Sequence, residues 1–239
     1  TIARRLYRVG LRYADVVYFQ NPDDEAMFRQ YRLLAKRSHV VQIPGSGVDL
    51  DHFSASEPVA APVSFLLIAR LLLNKGIREF AEAARTLRER YGDRVRFVLV
   101  GGFESGGGGV PQHEVRGWQE QGTIEYAGPT YDVRPYLAQC SVYVLPSWRE
   151  GTPRTVLEAM ATGRAIITTD APGCRETVVE GENGYLVPPK DAAALAEAME
   201  RFVADPALIT RMGLRSREIA EDKYDVHKVN RVILDALGL

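Results

Sequence analysis

Short, nearly unbroken apolar runs that alternate with helical segments constrain this chain more than any other feature. Val63–Ile68 and Val95–Val100 are the longest such runs, and residues 141–145 and 165–168 repeat them, with shorter versions at 123–126 and 185–187. Between the first two, Ile77, Phe80, Ala81, Ala84 and Leu87 recur on one helical face that ends near Arg90. Further helices are expected over 114–120, after Tyr131, from near Thr155 to Met160 or Ala161, and behind an Asp191 cap. Strands buried on both faces lose the polar alternation of half-exposed strands, so the pattern predicts a right-handed parallel α/β sheet flanked by helices. Ligands of such sheets meet the loops beyond the strand carboxyl ends. That rule gathers Arg70, Gly101, Gly128, Glu150 and Thr169 on one rim.

Residues 146–162 carry the chemistry of that rim. Pro146 stops the 141–145 strand, Glu150 and Gly151 lie in the loop, and Glu158 sits inside the following helix. Thr155 and Glu158 have capping-box spacing, which explains Glu158 as a cap; a carboxylate accepting hydrogen bonds from a ribose diol is the other reading. Glu150 precedes any such cap, and it is either a solvated loop carboxylate or a ligand contact. Amides of Gly151 and Thr152 are available to anionic oxygens, as they are at helix starts. Arg70 follows one strand directly and Lys75 precedes Gly76 at the next helix start, so a guanidinium fork and a mobile ammonium are available to a pyrophosphate.

Composition narrows the classes. With 239 residues, 46% of them hydrophobic, the chain can bury a substantial core, and a net charge of −1 gives no support to a nucleic-acid partner. Cys140 and Cys174 have neither disulfide-framework nor metal spacing, which points to a reducing compartment. Asp49 and Asp51 lack a third local ligand, so no metal site is assigned. The glycine run 106–109 matches neither a dinucleotide fingerprint nor a triphosphate loop, and reads as a mobile surface loop.

The first fifty residues differ from the rest. Arg4, Arg5, Arg8 and Arg12 share a helical segment with Leu6, Val9 and Leu11; a strand is expected over 15–20, a helix after Asn21 and Pro22, and a second strand over 39–43. A boundary is expected between Asp49 and Pro62, where Pro58, Pro62 and intervening alanines read as a connector.

Taken in order, Ala69-Arg70-Leu71 with Lys75-Gly76, Glu150-Gly151 with Glu158-Ala159-Met160, and Asp170-Ala171-Pro172-Gly173-Cys174-Arg175-Glu176 form a specific set. Gly181-Glu182-Asn183-Gly184 with Leu186-Val187-Pro188, and Ile43-Pro44-Gly45-Ser46-Gly47-Val48-Asp49, extend it. The chain thereby resembles the retaining glycosyltransferases of family 4, with the two-domain GT-B fold, and most of all bacterial transferases that build surface polysaccharides and related glycans.

The resemblance implies an α/β, Rossmann-like C-terminal donor domain over residues 51–221, the tail of an N-terminal acceptor domain over 1–50, and a returning helix over 222–239. It implies transfer of a hexosyl unit from a nucleoside diphosphate sugar, with uracil as the base, to a glycan or lipid-linked acceptor, with no cofactor. Arg70 and Lys75 match the pair that holds the donor diphosphate, Glu158 the ribose carboxylate, and Glu150 the carboxylate beside the donor sugar. Gly151 and Thr152 offer backbone contacts, and Gly128 and Val133 flank the loop on the base side. Arg154 and Arg175 are either phosphate or acceptor contacts or structural ion pairs. A cytoplasmic location, peripheral contact with the inner face of the membrane, and an N-terminal domain as partner are also implied, with donor binding retained and transfer weak in the isolated segment. Other classes remain: a nucleotide-sugar-binding regulatory module, an interaction domain needing no nucleotide, and a pyridoxal phosphate-dependent GT-B phosphorylase, for which no lysine context is present.

Overall fold

The computed structural model describes residues 2–104 and 106–239; Thr1, the first residue of the expected segment 1–50, and Ser105 lie outside it. Helix α1 (Ile2–Gly10) leads to strand β1 (Val16–Phe19), helix α2 (Pro22–Gln30) and strand β2 (His39–Gln42). β1 and β2 pair in parallel as a small sheet of their own.

The remaining strands are β3 (Val63–Ile68), β4 (Val95–Val100), β5 (Glu125–Gly128), β6 (Val142–Leu145), β7 (Ala165–Thr169) and β8 (Gly184–Val187). They form one parallel sheet in the order β5-β4-β3-β6-β7-β8. Helices α3 (Ile77–Tyr91), α4 (Gln112–Glu120), α5 (Arg134–Ala138), α6 (Arg154–Ala161) and α7 (Ala192–Ala204) intervene or follow. After α8 (Ala207–Ile219), a π-turn over Ala220–Tyr224 leads into α9 (Val226–Leu237).

Period-two alternation splits the buried strands between two cores. Phe65, Leu67, Phe97 and Leu99 pack with Phe80 and Leu87 of α3 and Met199 and Phe202 of α7. Leu66, Ile68, Val98 and Val100 face the other way, with Tyr143, Val156, Leu157 and Met160. Every residue of β3 is therefore buried, which explains why the strand reads as a solid apolar run.

The chain builds β3, β4 and β5 outward, then crosses back to lay β6 on the free side of β3. Loops after β3 and β6 consequently diverge, and the crevice between them is where open α/β sheets bind ligands. β3 and β6 pair at the registers Phe65↔Val142 and Leu66↔Tyr143.

Several local expectations need correction. The strand expected over 123–126 begins two residues later: Thr123 and Ile124 are buried, but pairing with β4 runs from Glu125 to Gly128. The glycine run is exposed over 106–108, as expected of a surface loop, and its far end is bound: the Leu73 amide donates to the Gly108 carbonyl (2.8 Å), and Leu72 and Gly109 form an antiparallel bridge. The capping box is absent. α6 starts at Arg154 with Pro153 at its N-cap, while the Thr155 hydroxyl, already inside the helix, pairs with the Tyr143 hydroxyl of β6 at 2.7 Å. Helix α9 returns to β1, where the Tyr18 hydroxyl donates to the Ile233 carbonyl (3.0 Å). Val229 of the same helix is buried, whereas Val232, Leu234 and Leu237 are exposed.

Candidate active site

The β3 and β6 loops are stitched together at one backbone carbonyl. The Trp148 amide and the Ser147 hydroxyl both donate to the Asn74 carbonyl, at 2.9 and 3.1 Å. The Thr169 hydroxyl bonds the Ser147 carbonyl from below; Thr169 is buried and anchors the rim rather than lining it. Gly101 and Gly128 meet as the adjacent loop ends of β4 and β5, through a 2.9 Å amide-to-carbonyl bond.

On that frame Lys75 Nζ contacts Glu150 Oε1 at 2.5 Å, and both side chains are largely shielded from water. Arg70 does not join them. Its guanidinium is exposed and pairs with Glu104 at 3.0 Å. Lys75 and Glu150 are thus preorganised on each other, while Arg70 stands at the outer lip, where an ion pair contributes little. Gly151 and Thr152 follow Glu150 on the same loop, and Val133 is half-buried at the start of α5 against the second core.

Glu158 is 7% exposed, and its carboxylate accepts from Arg154 at 3.0 Å within α6. Burial raises its pKa above the ordinary carboxylate range, with Arg154 acting in the opposite direction. For an acid whose folded pKa exceeds its unfolded one, the stabilisation relative to high pH is complete below the unfolded pKa and is lost as pH rises through the folded value. Glu158→Gln is therefore expected to gain stability relative to the native chain above about pH 5, with the difference shrinking towards pH 4 and below. Urea denaturation of both chains across that window checks the sign. Arg154→Ala is expected to enlarge the difference, because the pKa-lowering partner is gone.

Arg154 and Arg175 are both engaged as ion pairs in this structure. Arg175 bridges Asp170 (2.6 Å) and Asp23 of α2 (2.7 Å). Asp49 receives the amides of Asp51 and His52 at 3.0 and 2.9 Å, a local turn. Among the described residues no cluster of three or more His, Cys, Asp or Glu is arranged to hold a metal ion. Both thiols are free and buried, and burial pushes Cys140 up to about 12 and Cys174 up to about 11, so neither offers a reactive thiolate near neutral pH.

Three contacts on the site loop were not legible in the sequence. Trp148 Nε1 donates to Glu79 (3.1 Å), Asn21 donates to the Gly151 carbonyl (3.0 Å), and Arg149 pairs with Asp24. Asn21 and Pro22 had signalled a helix start, but nothing local places that start against a loop 130 residues away.

A family model described as "Glycosyl transferases group 1" matches residues 62–205, which span β3 to the end of α7. The chain belongs to that family. Among curated relatives, an N,N'-diacetylbacillosaminyl-diphospho-undecaprenol alpha-1,3-N-acetylgalactosaminyltransferase of Campylobacter jejuni is 30% identical over 94% of this chain and 60% of its own length. A putative colanic acid biosynthesis glycosyltransferase, WcaL of Escherichia coli, is 27% identical over 99% of this chain and 64% of its own length. The chain thus spans somewhat under two thirds of these relatives. A solved sucrose-phosphate synthase from Thermosynechococcus elongatus superposes with a TM-score of 0.81 at 28% identity, covering 95% of this chain and 59% of that one. Anabaena HepE, solved with UDP, gives a TM-score of 0.83 at 21% identity over 99% of this chain and 68% of that one, a likeness of fold. The six-stranded sheet is accordingly that of a GT-B glycosyltransferase, the expected membership of a glycosyltransferase family holds, and the relatives include bacterial glycosyltransferases named for polysaccharide biosynthesis.

Proposed function

We propose that this chain carries the donor site of a retaining, family 4-like glycosyltransferase that moves a hexosyl unit from a UDP-sugar to a glycan or lipid-linked acceptor. The observation that carries the proposal is the shielded Lys75–Glu150 pair in the β3/β6 crevice, with the buried carboxylate of Glu158 on the helix that follows the same loop. Residues 51–221 form the donor unit in this reading, 1–50 belong to an acceptor-side unit, and 222–239 return to it, in keeping with the Tyr18–Ile233 contact.

Each residue then has a distinct task. Lys75 supplies positive charge where the departing diphosphate accumulates negative charge, in a site from which water is partly excluded, and Arg70 adds to it after releasing Glu104. Glu150, freed from Lys75 as phosphate replaces it, orients the sugar and favours positive character at the anomeric carbon. Glu158 accepts from the ribose hydroxyls, and Gly128 and Val133 flank the base. Gly151 and Thr152 contribute backbone groups towards the sugar and phosphates. The anomeric carbon–oxygen bond to the diphosphate breaks as a bond to the acceptor oxygen forms on the same face, and the acceptor proton leaves with the diphosphate. The paired carboxylates do not act as the acid and nucleophile of a glycosidase, since Glu158 is committed to the ribose.

Support for a UDP donor comes from fold relatives such as HepE, and for a lipid-linked acceptor from the name of the Campylobacter relative. No helix among the described residues is long and apolar enough to cross a membrane; the proposed location is cytoplasmic, with peripheral contact at the membrane's inner face. Isothermal titration of the chain with UDP, UDP-glucose and UDP-N-acetylglucosamine is expected to show saturable binding of UDP and tighter binding of at least one sugar donor. No binding of any of the three to folded chain overturns the donor-site assignment. Equal affinity for UDP and every donor supports a regulatory nucleotide-binding module instead.

A further inference from the structure

The loop that bears Glu150 is held from a direction that the donor site itself does not supply. Asn21, 1% exposed, is the N-cap of α2: its Oδ1 accepts from the Asp24 amide at 2.8 Å. The other half of the same carboxamide faces across to the site, and Nδ2 donates to the Gly151 carbonyl and to Asp24 Oδ2, both at 3.0 Å. On either side of this bond lie ion pairs from the same helical turn, Asp24 to Arg149 and Asp23 to Arg175.

The consequence for Glu150 is geometric. Its own amide donates to the Pro172 carbonyl at 2.9 Å, which fixes the peptide entering the residue. Asn21 fixes the carbonyl of the next residue, so the backbone is pinned on both sides of the bond that sets where the Glu150 carboxylate points. Lys75 alone cannot set this direction once a diphosphate has drawn it away. The hydrogen bonds of Asn21 go to Asp24 and Gly151, not to Lys75 or Glu158, the groups assigned to the diphosphate and ribose.

We propose that Asn21 is a positioning residue for the donor sugar: through the Gly151 carbonyl it holds the Glu150 loop in the orientation that distinguishes a UDP-sugar from UDP. This inference rests on the donor-site reading given above. It separates from a purely structural role because it predicts a selective loss, confined to the sugar half of the ligand.

Asn21→Ser is the informative variant. Serine keeps an N-cap acceptor for α2 but lacks the amide donor that reaches Gly151. Titration of the native chain and the variant with UDP and with the preferred donor of UDP-glucose and UDP-N-acetylglucosamine is expected to leave the UDP Kd within about twofold and to reduce the donor-over-UDP preference by about three- to tenfold, the scale of one net hydrogen bond. Amide hydrogen exchange over 150–152 in the ligand-free variant is expected to speed up. A native chain that binds none of these ligands overturns the donor-site reading, and the Asn21 role with it. A native chain that discriminates and a variant that discriminates equally well, or exchanges at the native rate over 150–152, overturns the Asn21 role alone. Parallel loss of UDP and donor binding makes Asn21 merely structural and also overturns it.

Discussion

Lys75→Ala is expected to weaken UDP binding by about 10- to 150-fold, the equivalent of the roughly 1.5–3 kcal/mol carried by a hydrogen bond to a charged group. Two effects act together. The variant loses the only cation paired with Glu150 among the described residues, and it strands that carboxylate, 14% exposed in the native chain, beside the proposed position of the diphosphate. An unpaired carboxylate there repels the ligand and is itself costly to bury. Breaking a fully buried pair costs about 3–5 kcal/mol of stability, and the residual exposure of both side chains places this pair at or below the bottom of that range. The double variant Lys75→Ala/Glu150→Gln separates the two contributions. Removing the stranded charge is expected to restore most of the stability in urea denaturation, while UDP affinity stays well below native because the ammonium is still missing. Full recovery of UDP binding in the double variant would show that Lys75 serves only to neutralise Glu150. Lys75→Arg is not expected to rescue, because a planar guanidinium fork does not reproduce a single ammonium nitrogen 2.5 Å from its carboxylate partner.

The parts of this architecture that were legible in the sequence are those where one physical requirement dominates. β3, β4 and β6 are buried on both faces, so their apolar runs could hardly encode anything else, and their succession fixes a parallel sheet with its site at the carboxyl ends. β5 was displaced because apolarity and pairing part company there: Ile124 is buried under the sheet edge, yet the ladder belongs to Glu125 and the residues after it. Helix α6 starts within one residue of Thr155 as expected, but its cap was misjudged because a Thr–Glu spacing is a local signal, whereas the Tyr143 hydroxyl that claims Thr155 comes from a strand. Long-range partnerships were the least visible. Arg70 and Lys75 are close in sequence and were read together, but their charges are satisfied separately, by Glu104 and by Glu150. Nothing in the segment 20–25 announces that its cap also closes on Gly151.

Gly76→Ala is expected to be among the most damaging single-methyl additions to the chain. Gly76 sits at the N-cap of α3 with φ 71°, a left-handed conformation that costs a side-chain-bearing residue about 1–2 kcal/mol. A Cβ there would lie 2.2 Å from the Pro146 carbonyl oxygen and 2.7 Å from its carbon, which are backbone atoms that cannot rotate away. Neither side has room to yield. Gly76 is tied to Leu73 through its amide (3.1 Å) and to Phe80 through its carbonyl (2.9 Å), while Pro146 directly follows the buried strand β6. Relief therefore requires the β3 and β6 loops to move apart, adding an overpacking cost of about 1–3 kcal/mol. The combined loss of about 2–5 kcal/mol corresponds to a fall in Tm of roughly 4–20 °C for a chain of this size. Gly181→Ala supplies the comparison, since its φ is 78° but a Cβ meets nothing within 4 Å, so it bears the conformational strain without the collision. The excess Tm loss of Gly76→Ala over Gly181→Ala measures the contact with Pro146, and equal melting of the two variants would show that the loops are not held together there. Because the movement that relieves the clash also separates Lys75 from Glu150, UDP affinity is expected to fall in Gly76→Ala even at temperatures where the variant is fully folded, and to remain native in Gly181→Ala. The Lys75-Gly76 dipeptide thus joins two requirements at one point: the glycine lets the loops approach closely enough for the lysine to reach the glutamate.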